Sequence, residues 1–277
     1  MQPDESLYSL RSNLLIKSDN IGVFQVTATT FYPSLAQKIV FITGGATGIG
    51  AAMVRSFAAQ QARVAFIDMN ADAATALQAE LAGSELWFQQ VDVREPKLLQ
   101  QAIQQAALEL GGLDVLVNNV ANDTRQPTEQ VTAQDWQQCM QVNLDPAFFA
   151  SQMAATLMQP RQQGCIINFS SINALTGQQQ MAGYVTAKAG IIGMTKALAK
   201  DYGERGIRVN AILPGWVATE RQLASWFTAE EQQKWLDSAV LKRIITPQDV
   251  ANLALFLASD QSALITGQAI CVDGGRT

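Results

Sequence analysis

The 277-residue sequence contains no histidine. Without histidine, a Ser-His-Asp or Cys-His mechanism is impossible, and a histidine-ligated zinc site is excluded. Any acid-base chemistry must therefore run through tyrosine, lysine, aspartate or glutamate side chains. No metal site is expected.

The sequence is also poor in cysteine and in positive charge. Its three cysteines, Cys139, Cys165 and Cys271, form no CxxC pair, so we expect small buried thiols in a reducing cytoplasm. A net charge of −5 disfavours nucleic-acid and anionic-membrane partners, because both need a basic face. No apolar run reaches the roughly 18 residues of a membrane span.

From Lys38 onward, short apolar runs alternate with longer helical patterns. Most of the runs are apolar at consecutive positions, which is typical of strands covered on both faces. Seven strands are predicted: 39–43, 64–68, 86–93, 115–119, 165–170, 209–214 and 269–273. Helices are predicted near 49–60, 71–82, 96–110, 133–159, 182–202 and 247–258, with Gly111 and Gly203 as C-terminal caps. The alternation predicts an α/β fold, a doubly wound seven-stranded parallel sheet with helices on both faces.

The first 34 residues have no clear period. A flexible arm, an added β-ribbon and residues from an upstream start codon all remain open for this segment. It lacks the basic start and unbroken apolar stretch of a secretory signal. We therefore expect an N-terminal extension of uncertain structure over residues 1–34 and one catalytic domain over residues 35–277.

A glycine-rich turn follows the first predicted strand. Gly44, Gly48 and Gly50 have the spacing G-x-x-x-G-x-G, and a helical pattern starts at Ile49. Glycines here let the backbone approach a pyrophosphate, which lies against the free N–H groups of a helix N-terminus. Such turns also occur in other α/β proteins, but the place between strand and helix favours a nucleotide site.

Asp68 ends the second predicted strand, 18 residues after Gly50. A carboxylate there accepts hydrogen bonds from both ribose hydroxyls and repels a 2′-phosphate, which favours NAD over NADP. The neighbouring Met69, Asn70, Ala46 and Thr47 add no basic charge. The alternative is a helix N-cap aspartate, although Asn70 could fill that role instead.

Tyr184 and Lys188 are four residues apart within a helical pattern and therefore share one face. A tyrosine pKa near 10 is too high for a base at neutral pH, and a nearby cation lowers it. The same ammonium could also bond a cofactor ribose. A solvated helix face is the alternative for this spacing alone. Ser171 favours a site, because it follows a strand at the sheet edge where open α/β folds bind ligands.

These motifs as a set resemble the short-chain dehydrogenase/reductase family. They are TGGATGIG, Asp68, NNVA at 118–121, Asn143, NFSS at 168–171, YVTAK at 184–188 and PGWVAT at 214–219. They occur in the family's order and at its spacings, and the resemblance covers roughly Leu35 to Gly275. It implies a Rossmann-type domain and an oxidoreductase of CH–OH groups.

The resemblance also implies residue roles. The implied cofactor contacts are Gly44, Thr47, Gly48, Ile49, Gly50, Asp68, Asp92, Val93, Asn119, Tyr184, Lys188, Pro214, Gly215, Val217 and Thr219. Tyr184 is the acid-base, Lys188 assists it, and Ser171 orients the substrate oxygen. Asn143 kinks a long helix and holds a water in a proton relay to Lys188. One departure is NNVA where the family usually has NNAG, so Val120 and Ala121 add bulk to the groove.

Two polar segments bear on the substrate. The NDTRQP loop at 122–127 and TERQL at 219–223 resemble the subgroup that oxidises aldoses, such as galactose or arabinose, to aldonolactones. The expected substrate contacts are Asn122, Asp123, Arg125, Ser171, Tyr184 and Arg221. A solvated surface is the alternative for each loop residue.

Two rival functions remain open at this stage. One is a 3-oxoacyl-carrier-protein reductase, which would prefer NADPH and need a basic patch. The other is a catalytically idle NAD-binding sensor or scaffold, which usually lacks a catalytic residue. The resemblance further implies a homotetramer formed through the two long helices and the C-terminal strand. The small-residue run 187–199 permits such packing, although it also suits packing on the chain's own sheet.

Overall fold

The computed structural model of the chain describes residues 30–226 and 228–277. Most of the expected N-terminal extension therefore lies outside the described residues. From Phe31 the chain forms a single compact unit that continues to Thr277. Its first turn, Pro33–Leu35, buries Leu35 completely in the core, and the extent of the catalytic domain stays a prediction.

The described chain contains the strands β1 Ile39–Thr43, β2 Arg63–Asp68, β3 Leu86–Gln90, β4 Val115–Asn118, β5 Gly164–Phe169, β6 Ile207–Pro214 and β7 Ala269–Val272. All seven are parallel and form one sheet in the order β3-β2-β1-β4-β5-β6-β7. The helices are α1 Gly48–Ala59, α2 Ala71–Glu80, α3 Pro96–Leu110, α4 Ala133–Asn143, α5 Asp145–Met158, α6 Asn173–Thr176, α7 Ala182–Gly203, α8 Glu220–Ser225, α9 Ala229–Ser238 and α10 Pro247–Ala258. The predicted doubly wound α/β fold is confirmed.

Helices cover both faces of the sheet because alternate strand residues point to opposite sides. In β1, Val40 and Ile42 pack in one layer with α1 and α10, whereas Ile39 and Phe41 pack in the other with α3, α5 and α7. All five β1 residues are buried, as consecutive apolar positions predict. The strand order reverses between β1 and β4, which opens a crevice at the carboxyl ends of the strands.

Several predicted boundaries are wrong. The helix expected over 133–159 is two helices, because Leu144 leaves helical geometry with φ −129° and Pro146 starts a new first turn. Gly111 caps α3 with φ +87°, as predicted, but Gly203 is the last residue of α7 and caps nothing. The left-handed glycine is Gly206, with φ +67°. Strand β3 ends at Gln90 rather than Val93.

The sequence patterns did not predict α6, α8 and α9. These helices have four, six and ten residues. Helices α6 and α8 are too short to carry apolar periodicity, and only three of the ten α9 residues are apolar. Thr219 and Thr228 begin α8 and α9 with side-chain caps. Helices α8 and α9 both lie beside the crevice at the carboxyl ends of the strands.

The described chain can also be searched for membrane and metal features. Within residues 30–226 and 228–277, no helix combines the length and apolar character needed to cross a membrane. The same residues contain no cluster of cysteine, aspartate and glutamate suited to a metal ion. Cys165 is buried, and Cys139 and Cys271 are half-buried free thiols.

Candidate active site

A cavity of about 1050 Å³ occupies the crevice at the carboxyl ends of the strands. The structure brings all the expected site residues together on its walls, with one exception. That exception is Asn143, which is buried behind the wall. The motifs, which are spread from Gly44 to Arg221, therefore converge on one cleft.

The glycine turn at one end of the cleft has geometry that only glycine adopts readily. Gly44 and Gly48 have φ of +67° and +54°, and a Cβ on Gly50 would collide with the Gly44 carbonyl oxygen. Asn119 holds this turn, because its Nδ2 donates to the Gly44 oxygen at 3.0 Å. Thr47 at the start of α1 makes no side-chain cap, so the first N–H groups of the helix stay free. Free N–H groups and a bare backbone fit the pyrophosphate of a dinucleotide.

Asp68 lies beside this turn at the end of β2. One carboxylate oxygen accepts the Ala46 N–H at 3.0 Å, and the other accepts the Asn70 N–H at 3.0 Å. Asn70 caps α2 by accepting the Ala73 N–H, so the alternative role of Asp68 as that helix cap is wrong. The carboxylate keeps unused lone pairs in the cleft, which fits a ribose diol.

Lys188, Tyr184 and Ser171 meet where α7 crosses the end of β5. The Lys188 side chain is 1% exposed, and its Nζ donates to the Phe169 carbonyl at 2.8 Å. The same Nζ lies 5.7 Å from the centre of the Tyr184 ring. Ser170 fixes the helix against the strand by donating from its hydroxyl to the Lys188 carbonyl at 2.7 Å. The shared helix face thus places both functional groups in the cleft.

Burial dominates the electrostatics of this group. It raises the pKa of Tyr184 to about 12, and a hydrogen bond with Ser171 opposes that shift. It lowers the pKa of Lys188 to about 8. Removal from water disfavours both charged forms and dominates these pKa values, and the expected lowering of the tyrosine pKa by Lys188 stays a prediction.

Asn143 has its side chain paired with the strand-four exit loop. Its Oδ1 accepts the Asn122 N–H at 2.8 Å, and its Nδ2 donates to the Asn122 carbonyl at 3.0 Å. Asn143 ends α4 immediately before the helix break, as the resemblance implies. Its expected role in a proton relay to Lys188 stays a prediction.

The opposite side of the cleft is a network of side chains. Asp123 accepts from Arg221 at 2.5 Å and from Gln222 at 2.9 Å. Gln222 in turn accepts from the Trp216 indole N–H at 2.8 Å. The network joins the NDTRQP loop to α8. The network also acts electrostatically on Tyr184. The charge of Asp123 raises the pKa of Tyr184 and the charge of Arg221 lowers it, and each effect is smaller than that of burial.

Some residues that line the cleft carry no sequence signal. They include Arg94, Asn173, Gln178, Met181, Glu231, Lys234, Trp235 and Arg276. Most lie in short helices or at the chain end, where no motif marks them. Arg276 covers the Trp235 ring with its guanidinium 4.7 Å from the ring centre.

The chain resembles known proteins in sequence and in fold. A family profile described as "Enoyl-(Acyl carrier protein) reductase" matches residues 44–277. The "Probable galactose dehydrogenase GalD" of Rhizobium meliloti (strain 1021) is 45% identical over 247 residues, covering 88% of this chain and 96% of that protein. The D-xylose 1-dehydrogenase of Caulobacter vibrioides (strain NA1000 / CB15N) is 43% identical over 248 residues, covering 90% and 99%.

A solved structure shows the same likeness. The 7α-hydroxysteroid dehydrogenase complexed with NADH and 7-oxo glycochenodeoxycholic acid superposes with a TM-score of 0.84 at 33% identity, over 88% of this chain and 96% of that one. These matches confirm the resemblance that the motifs indicated and imply a nicotinamide cofactor. The chain therefore belongs to the short-chain dehydrogenase/reductase family of oxidoreductases.

Proposed function

We propose that the protein is an NAD-dependent dehydrogenase that oxidises an aldose at its anomeric carbon to an aldonolactone. The observation that carries the proposal is the polar network of Asp123, Arg221 and Gln222 beside Tyr184. It offers paired donors and acceptors, which hydroxyl groups of a sugar require. The 45% and 43% identities to proteins named as galactose and xylose dehydrogenases support the same substrate class.

The choice of NAD rests on Asp68. Its carboxylate at the end of β2 would accept the ribose hydroxyls and repel a 2′-phosphate. The glycine turn with Thr47 and Ile49 would hold the pyrophosphate, with Asp92 and Val93 beside the adenine and Asn119 at the strand-four edge of the cofactor groove. Pro214, Gly215, Val217 and Thr219 would lie against the nicotinamide.

The residues Tyr184, Ser171, Lys188 and Asn143 would carry the chemistry. Tyr184 takes the proton of the anomeric hydroxyl while Ser171 hydrogen-bonds the same oxygen. Lys188 supplies a buried amine next to the phenol, and Asn143 orients the loop that meets the sugar. The oxidised cofactor, when bound, accepts the hydride from the sugar carbon.

A ketone reductase acting on an acyl carrier protein is the second candidate. The description of the matching family profile shares only its carrier-protein substrate, because an enoyl reductase acts on a carbon–carbon double bond and not on a ketone. Asp68 and the net charge of −5 oppose it, because NADPH and an acidic carrier protein both need basic groups. An idle sensor is less well supported, since all four catalytic positions are filled.

We also propose a cytoplasmic homotetramer whose catalytic domain spans residues 35–277. Trp136 on α4 and Phe148 on α5 support association, since they are 40% and 41% exposed on neighbouring helices. Sedimentation at several protein concentrations measures the assembly, and a monomer at all of them contradicts it.

A steady-state screen tests the proposed function. Aldoses, polyols and 3-oxoacyl thioesters are each assayed with NAD and with NADP. We expect turnover of at least one aldose, with NAD preferred. Turnover of thioesters with NADPH and of no sugar with NAD would overturn the proposal, and NADH binding without any turnover would favour the idle sensor.

A further inference from the structure

Trp216 brings an aromatic ring to the wall of the cleft that carries the Asp123 network. It follows the last residue of β6 by two positions, and it lines the same cavity as Ser171 and Tyr184. The residue is half-buried, and its buried part packs against the core layer that contains α1 and α10. The rest of the side chain is accessible from the cleft.

Hydrogen bonds fix the orientation of this ring. The indole Nε1–H donates to Gln222 Oε1 at 2.8 Å, and Gln222 Nε2 donates to Asp123 Oδ2 at 2.9 Å. A glutamine amide carries its acceptor on one side and its donors on the other, so the bond to the indole turns its NH₂ group toward the carboxylate. Arg221 donates to the other carboxylate oxygen at 2.5 Å. The chain of bonds that joins the NDTRQP loop to α8 therefore also holds the ring.

The occupied N–H determines what Trp216 offers to a ligand. An indole has one polar group, a donor, and here its hydrogen is already bound to Gln222. A ligand in the cleft therefore meets ring carbon at Trp216, next to the polar groups of Asp123 and Arg221. A flat apolar surface beside hydrogen-bonding groups matches a molecule whose face is C–H and whose edge carries hydroxyls.

A pyranose ring has this shape, and its stereochemistry decides how well it fits. In D-galactopyranose the axial C4 hydroxyl leaves the hydrogens of C3, C4 and C5 on one face as a continuous apolar patch. In D-glucopyranose the C4 hydrogen lies on the opposite face, so the patch is interrupted. An open-chain polyol or an acyl chain has no rigid face of this kind. The larger patch removes more apolar surface from water when it packs on an aromatic ring.

We propose that Trp216 is the stacking platform for the C–H face of the aldose ring, and that it makes the enzyme favour an aldopyranose with an axial C4 hydroxyl. The inference rests on the proposed function and narrows its substrate class. It assigns the preference between C4 epimers to a carbon surface, whereas the Asp123 network bonds the hydroxyls of either epimer.

The test uses D-galactose and D-glucose, which differ only at C4, with the full-length protein. Binding to the enzyme–NADH complex is measured by calorimetry, and turnover with NAD is measured separately. Trp216→Leu keeps apolar bulk and removes the flat ring, so we expect the galactose Kd and KM to rise about three- to tenfold, whereas the glucose values change less than about twofold. Trp216→Phe keeps an aromatic face and should retain most of the preference.

Trp87→Leu is the matched control. Trp87 lies on β3 with its ring centre 6.4 Å from that of Phe41, and it does not line the cleft. The variant should lose stability, because a large side chain is truncated against the core, but it should keep the wild-type ratio of the galactose Kd to the glucose Kd. It thereby separates a general loss of packing from loss of the platform.

Three results would overturn the platform. They are equal galactose Kd values in wild type and Trp216→Leu, a wild type that binds the two epimers equally or not at all, and an equal loss of NADH affinity in Trp216→Leu, which would assign the ring to the cofactor. Absence of turnover with both sugars would overturn the proposed function instead, and the binding measurements would still decide the platform.

Discussion

The two halves of the cleft are built in different ways. The half that we propose for the cofactor, the cofactor half, consists of strand ends and turns, in which the Gly50 backbone packs against the Gly44 carbonyl and the Asn119 side-chain amide holds the turn. The half that we propose for the substrate, the substrate half, consists of side chains that meet across 98 and 99 residues of sequence, as in the pairs Arg221–Asp123 and Gln222–Asp123.

This difference has energetic consequences. Backbone atoms in the cofactor half cannot move without displacing the sheet, because close-packed interiors resist even small additions of volume. The Arg221 and Asp123 side chains are 56% and 29% exposed, and exposed ion pairs contribute about 0–1 kcal/mol. Substitutions in the cofactor half should therefore impair cofactor binding severely, whereas substitutions in the substrate half should change the kinetic parameters only slightly.

The largest effect is expected where the halves meet, at Tyr184. In Tyr184→Phe the proposed proton acceptor is gone, and kcat should fall by about 10³-fold or more while NADH binding stays nearly intact. Steady-state kinetics and NADH fluorescence titration measure the two quantities. Tyr202→Phe, on the same helix but outside the cleft, is the control, and wild-type rates in Tyr184→Phe would remove the proposed mechanism.

The Gly50→Ala substitution tests the cofactor half of the cleft directly. Its Cβ has no space beside the Gly44 oxygen, so the turn must shift, and we expect NADH binding to weaken about tenfold or more. The control is Gly83→Ala, outside the helices of the proposed tetramer contact, where no neighbouring group lies within 4 Å of the added Cβ. That variant should bind NADH normally and gain about 0.4–1 kcal/mol of stability in thermal or urea unfolding, because alanine restricts the unfolded chain. Unchanged NADH binding in Gly50→Ala would contradict the expectation that the glycine turn is rigid.

Asp68→Asn should change which cofactor is used. Loss of the carboxylate weakens the hydrogen bonds to the ribose diol and removes the repulsion of a 2′-phosphate, so the ratio of kcat/KM for NAD over NADP should fall about tenfold. Parallel assays with the two cofactors measure it. A ratio equal to that of the wild type would assign the discrimination to another group.

The smallest effects are expected in the substrate half of the cleft. Besides burial, the Arg221 charge lowers the pKa of Tyr184 and the Asp123 charge raises it. Because oxidation requires the phenolate, the rise of kcat/KM with pH should move to higher pH in Arg221→Gln and to lower pH in Asp123→Asn. We expect shifts of a few tenths of a pH unit, since solvent screens this pair. Shifts of the same sign in both variants would contradict an electrostatic origin.

The accuracy of the sequence-based predictions follows the same division. The glycine turn, Asp68 and the Tyr184–Lys188 pair were predictable because each depends on residues close in sequence that share one turn, strand end or helix face. Helix α8 was missed because six residues are too few for apolar periodicity, and α9 because only three of its ten residues are apolar. Arg276 and Trp235 were missed because their place in the cleft depends on how β7 and α9 dock beside Gly215.

By itself, the sequence determined the alternation of strands and helices, the parallel sheet, the family and the residues at the strand ends, since backbone preference and apolar spacing are local properties. Only the tertiary structure decided the partners of those residues. It paired Asp123 with Arg221 and Asn143 with the Asn122 backbone, and it buried Lys188 fully and Tyr184 in part, which moves their pKa values to about 8 and about 12. Burial and long-range contact arise only when the chain is packed, because they depend on which distant segments exclude water from the same place.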